Sequence, residues 1–235
     1  MADKDKENKE RQAKAKAEGL AKKAKKKAAE AASTQDTGAE EVSAVPAPAP
    51  RLIAAYRERV VPALQQKFGY KNTMAVPRLE KVVISMGLGK AVTAGEKGKM
   101  ETAEKELAVI AGQRPVRCKA KKSVANFKVR EGQETGLKVT LRGARMYEFM
   151  DRLISLAIPR VKDFRGLNPN GFDKNGNYNF GFTEQTVFPE VDSANITFQQ
   201  GMNITLVTTA ESPDEGRELL RQFGLPFRDP TEKNK

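Results

Sequence analysis

The chain predicts an α+β fold: a single domain with a largely antiparallel sheet packed against helices, preceded by a disordered Lys/Ala-rich tail. Three observations carry this. Residues 79–86 and 136–142 alternate apolar and polar side chains with the period of a half-buried strand. Residues 97–111 and 146–157 repeat their apolar positions at the spacing of an amphipathic helix. Helical and extended segments also follow one another without the regular β-α-β alternation of a parallel sheet.

Taken in order, residues 1–30 hold eleven Lys/Arg and six Asp/Glu, with alanine filling most of the rest and Leu20 the one large aliphatic after Met1. Residues 31–50 have no basic residue and end in Val45-Pro-Ala-Pro-Ala-Pro50. Neither stretch has the apolar content to offset the entropy of ordering, so residues 1–50 are expected to be a disordered Lys/Ala/Glu tail and Pro/Ala linker. The Pro/Ala alternation favours an extended polyproline conformation and marks the boundary with a folded domain at 51–235.

Within that domain, Leu52 to Phe68 reads as a helix closed by Gly69 and kinked or restarted at Pro62. The strand at 79–86 sets Val82, Ile84 and Met86 on one face and Lys81, Val83 and Ser85 on the other. Met100, Ala103, Leu107 and Ile110 define a helix ending at Gly112. Short strands are expected at 115–119, 125–131 and 136–142, the last turning Leu137, Val139 and Leu141 away from Lys138, Thr140 and Arg142. A strong helix through Met146, Phe149, Met150, Leu153, Ile154 and Ala157 is expected to stop at Pro159. Residues 160–180 are rich in Gly, Asn and Asp, with Asn175-Gly176 a tight turn. Strands are placed at 180–184 and 202–209. The last helix opens at Ser212-Pro-Asp-Glu215 and ends at Gly224. No internal repeat is visible.

The formal net charge is +12, and little of it belongs to the tail: residues 51–235 hold thirty-one basic against twenty-one acidic residues. A folded surface with that excess favours a polyphosphate partner through counterion release. Several function classes fall away. With Cys118 the one cysteine and no histidine, a structural zinc site lacks its usual ligands and histidine-based catalytic groupings cannot form. No run approaches 18 consecutive apolar residues, and the N-terminus lacks the apolar centre of a signal peptide, so no membrane span is expected, while the lone cysteine fits a reducing, cytoplasmic compartment. Gly87-Leu-Gly89 follows a strand, but Val92 occupies the fingerprint's third small-residue position and no phosphate-cradling Walker sequence exists. No enzyme activity, cofactor, metal or small-molecule substrate is expected.

The densest basic run is Arg114, Arg117, Lys119, Lys121, Lys122, Lys128 and Arg130, with Ser123, Asn126 and Phe127 among them. Between two strands this is a mobile cationic loop suited to phosphates, and only Glu131 and Glu134 lie near enough in sequence to neutralise it. The outward residues Lys81, Ser85, Lys138, Thr140 and Arg142 would add a polar, basic sheet surface if their strands pair. No tryptophan and few other aromatics are present, which favours folded RNA, read by shape and backbone, over stacked single-stranded bases.

From about residue 51 to 229 the sequence resembles the bacterial large-ribosomal-subunit protein L five family. The resemblance rests on Val76-Pro-Arg-Leu-Glu-Lys81, Met86-Gly-Leu-Gly89, Ile110-Ala-Gly-Gln-Arg-Pro115, Lys119-Ala-Lys-Lys-Ser-Val-Ala125 and Lys138-Val-Thr-Leu-Arg-Gly143. Ile158-Pro-Arg-Val-Lys-Asp-Phe-Arg-Gly166 and Phe223-Gly-Leu-Pro-Phe227 complete it. It implies a structural protein of the central protuberance that binds 5S rRNA and touches the large-subunit rRNA. It also implies an approach to the P-site tRNA and a bridge to a small-subunit head protein. The implied 5S rRNA contacts fall on Ser85, Gln113 and Thr140, with Lys138 and Arg142 beside them; the family usually has asparagine where this chain has Ser85. Lys119, Lys121, Lys122, Ser123 and Asn126 match the segment facing tRNA and rRNA, and the loop at about 165–181 the segment toward the small subunit. The tail departs from the family pattern. Its dense Lys22, Lys23, Lys25, Lys26 and Lys27 suit an RNA-contacting arm and a solubilising extension equally.

Overall fold

The computed structural model describes residues 49–191 and 198–228. The expected tail therefore lies, apart from residues 49 and 50, outside the described residues. Five strands form one antiparallel sheet: β1 (Leu79–Gly87), β2 (Val116–Lys119), β3 (Glu134–Leu141), β4 (Tyr178–Phe182) and β5 (Met202–Thr208), in the order β2-β3-β1-β5-β4.

The sheet has two unlike faces because its strands alternate in phase. Ile84 lies opposite Val139 on β3 and Ile204 on β5, and Val82 opposite Leu141 and Leu206. All six are buried. Tyr178, Phe180 and Phe182 carry this face across β4, ring against ring at 5.5 Å. At Gly136 no side chain is tolerated, since a Cβ there would come within 2.6 Å of the Met86 carbonyl oxygen.

Helices cover the apolar face alone. The first begins as α1 (Arg51–Ala55), loosens into a π-helical turn (Tyr56–Val60) and resumes as α2 (Val61–Phe68), closed by Gly69 at φ 71°. Pro62 sits at the start of α2, so the expected kink takes the form of that π turn. A short helix that the sequence did not foretell, α3 (Gly89–Thr93), follows β1, and α4 (Lys97–Ala111) then ends at Gly112 with φ 62°. Met100, Ala103, Leu107 and Ile110 on α4 are all buried. Next, α5 (Gly143–Arg152) runs through a π-helical stretch (Leu153–Ala157) into α6 (Ile158–Arg160). Pro159 does not stop this helix: the π stretch releases the backbone bond that proline cannot donate, and the helix ends one residue after it. The last helix, α7 (Pro213–Gln222), is capped as expected by Ser212 Oγ, which accepts from the Glu215 N–H at 3.3 Å.

The segment at 125–131 is not a strand. It contains a 3-10 turn (Ala125–Phe127), Lys128 in the left-handed region at φ 53° and an isolated bridge between Val124 and Val129. The run alternates Ala125, Phe127 and Val129 with Asn126, Lys128 and Arg130, but that apolar side stays exposed or half-buried, and the turn instead satisfies the run's own backbone.

Candidate nucleic-acid interface

The second sheet face carries no helix. Register places Val116, Lys138, Ser85, Asn203 and Gly181 in one row across all five strands. A second row holds Thr140, Val83, Thr205 and Asn179. Lys138, Asn203, Asn179 and Gly181 are exposed, while Ser85, Thr140 and Thr205 are half-buried among their neighbours. Among the described residues, the side chains of Ser85, Lys138 and Thr140 have no hydrogen-bond partner. A flat row of unmade polar contacts next to a cation can take up a polar, anionic partner without first breaking internal bonds.

The candidate residues thus separate into groups. Ser85, Lys138 and Thr140 come together on adjacent strands of this face. Gln113 lies off the sheet, exposed between the end of α4 and β2. Arg142 is exposed just past β3 and is not free: its Nη1 donates to Glu80 Oε1 at 3.2 Å, and Lys81 Nζ stands 3.5 Å from the same oxygen. Arg142 first, then Lys81, hold the Glu80 carboxyl below the usual carboxylate range. Lys119, Lys121, Lys122, Ser123 and Asn126 gather at the opposite end of the β2–β3 hairpin. That end is about 13 Å along the strand from Lys138, at 3.3 Å per residue between Glu134 and Lys138.

The hairpin loop is bonded to itself. Val124 and Val129 exchange backbone bonds of 2.9 and 3.2 Å, and the Arg130 N–H reaches Gln133 Oε1 at 3.0 Å. Ser123 Oγ accepts from the Glu131 N–H at 2.9 Å, so this serine positions the loop and keeps its proton and one lone pair for a partner. Phe127 stands at the tip, 74% exposed.

Neutralisation of the basic run comes from Glu134, as sequence proximity indicated, and from Glu104, which it did not single out. Glu104 on α4 accepts from Arg117 Nε at 2.7 Å and Arg114 Nε at 3.1 Å, and Arg117 Nη1 reaches Glu134 at 3.1 Å. Arg114 and Arg117 therefore brace the hairpin against α4. Lys119, Lys121, Lys122, Lys128 and Arg130 have no ion pair among the described residues. Arg117, and after it Arg114, hold the Glu104 carboxyl below its usual range. A depressed carboxyl contributes stability above its unfolded value and loses it as pH falls through its folded value. Glu104→Gln should accordingly lower the thermal midpoint by about 1–3 °C at pH 7. That gap should close as acid titrates the wild-type carboxyl; midpoints measured from pH 7 downward check this.

A cleft of about 740 Å³ lies between the hairpin and α3–α4. Its wall mixes Lys119, Lys128 and Arg130 with Glu101, Glu131 and Glu134, so it lacks the single sign an anion pocket needs. No cluster of three or more His, Cys, Asp or Glu suited to a metal ion exists among the described residues. No described helix is long and apolar enough to cross a membrane. The Gly/Asn-rich loop is held by Asp173, whose Oδ1 accepts from the N–H groups of Asn175 and Asn177 at 3.0 and 2.8 Å. Tyr178 ties it further by donating to the Asn168 carbonyl at 2.8 Å.

Fold and site together define a basic α+β scaffold with an open, polar sheet face and a cationic hairpin. Residues 72–130 match the family described as ribosomal protein L5, and residues 134–227 match the family describing the C-terminus of the same ribosomal protein. A protein of Alkaliphilus metalliredigens named large ribosomal subunit protein uL5 is 58% identical over 73% of this chain and 95% of its own length. Proteins of the same name from Thermosipho africanus and Thermobifida fusca are 56% and 52% identical. They cover 74% and 77% of this chain, and 94% of their own length in each case. The chain belongs to the uL5 family of large-subunit ribosomal proteins. Its role is structural and non-enzymatic, in translation, with ribosomal RNA as partner and the cytoplasmic ribosome as its place.

Proposed function

We propose that the chain binds 5S rRNA through its open sheet face and so helps attach it in the central protuberance of the large subunit. The observation that carries this is the row joining Ser85 to Lys138 beside the row joining Val83 to Thr140. It sets unmade hydrogen bonds next to an unpaired cation on a surface no described helix covers. Gln113 and Arg142 flank these rows, Arg142 after exchanging Glu80 for a phosphate. The hairpin at 119–126 supplies contacts to large-subunit rRNA and the P-site tRNA. The loop at about 165–181, braced by Asp173, meets a small-subunit head protein as an intersubunit bridge.

The test compares two truncations. Thr140→Ala should weaken 5S rRNA binding about three- to tenfold, because docking would desolvate the half-buried hydroxyl and require it to find a partner. Lys122→Ala should cost less than that, since its charge sits on the solvated loop. Filter binding or mobility shift measures both. Equal, small losses would remove the sheet face from the site.

A further inference from the structure

We propose that the β5–β4 half of the open face binds the sugar edge of the same RNA, reading ribose 2′-hydroxyls through Asn203, Thr205 and Asn179, a proposal that rests on the assignment of this face to RNA. The rows through Ser85 and Val83 do not stop at β1. They continue to Asn203 and Gly181, and to Thr205 and Asn179. On these two strands no face position carries a charge, whereas the β3 half has Lys138 with Arg142 beyond its end. The surface is thus divided lengthwise into a cationic side and a neutral side rich in amides and hydroxyls.

The neutral side is built to present those groups. Thr205 Oγ1 donates to Asn179 Oδ1 at 2.7 Å, which leaves the Asn179 amide N–H groups without a partner among the described residues. Asn203 has no side-chain partner there either. Opposite it stands Gly181, where a Cβ would lie 2.9 Å from Asn203 Oδ1; the missing side chain gives the amide room and keeps the surface low. Strands are spaced about 4.8 Å apart, which puts Asn203 about 10 Å, and Asn179 about 14 Å, across the sheet from β3, the strand of Lys138. An A-form duplex offers a matching division. Its phosphate ridge borders a wide, shallow minor groove lined with 2′-hydroxyls, each a donor and an acceptor, as an amide side chain is. With phosphates over β3, the sugar edge falls over β5 and β4.

The experiment uses the full chain and measures affinity for 5S rRNA at several salt concentrations, beside the same RNA with 2′-deoxy substitutions in its paired regions. Asn203→Ala and Thr205→Val should each bind about three- to tenfold more weakly. The slope of log affinity against log salt should not change, because no phosphate contact is lost. The wild-type preference for ribose over deoxyribose should shrink in both variants. Asn203→Ser, which returns a donor and an acceptor, should recover part of the affinity. Variants that bind as wild type does, or that lose affinity together with salt slope, overturn the proposal while leaving the face itself an RNA site. Variants that change binding of a ribosomal protein instead would assign this half to a protein partner. Wild-type protein that fails to bind 5S rRNA overturns the underlying assignment and this proposal with it.

Discussion

Lys138→Glu is expected to weaken 5S rRNA binding by about ten- to a hundredfold while the thermal midpoint stays within about 2 °C of wild type. Lys138 is exposed in the first row, between Ser85 and Val116, and has no ion-pair partner among the described residues. Removing it loses one phosphate contact, and the added carboxylate repels the backbone that remains. The salt slope should become shallower by about one, since one fewer counterion is released. Because the side chain supports nothing in the core, stability should hardly respond. Titrations at two salt concentrations, with thermal melts of the same samples, check both halves. Unchanged affinity would show that RNA does not cross this face.

Ile84→Ala and Ser85→Ala, one residue apart, should behave oppositely. Ile84 is fully buried between Val139 and Ile204, so truncation leaves a cavity and should cost about 2–5 kcal/mol of unfolding free energy. Ser85 points to the open face and bonds nothing among the described residues, so its truncation should change stability by no more than about 0.5 kcal/mol. Its cost should fall on RNA binding instead. Urea denaturation with a common m-value separates the two effects. A loss of stability at Ser85 comparable to that at Ile84 would contradict the two-faced description of the sheet.

Much of this arrangement was legible before any coordinates because period and burial agree along β1, β3 and α4. Val82, Ile84 and Met86 alternate with Lys81, Val83 and Ser85, while Met100, Ala103, Leu107 and Ile110 repeat at helical spacing. The first three and the last four of these are all buried. What local pattern does not contain is pairing. The alternation of Asn203 and Thr205 with Ile204 and Leu206 is as clear as that of β1. That these polar residues extend the row of Ser85, however, depends on β5 crossing to lie beside β1, more than a hundred residues away. Glu134, one of the two carboxylates that sequence proximity offered, does pair with Arg117, but Glu104, only ten residues before Arg114, was missed because its role depends on α4 packing beside β2. Pro159 and the run 125–131 failed for local reasons. A π stretch lets the helix pass a proline, and a run without a buried face closed on itself as a turn.

The salt dependence of 5S rRNA binding tests the central claim most directly, because it registers phosphate contacts whatever their individual geometry. If the open face and hairpin together neutralise about six phosphates, log affinity should fall against log salt with a slope of about −4 to −5. An affinity that is independent of salt would contradict the account.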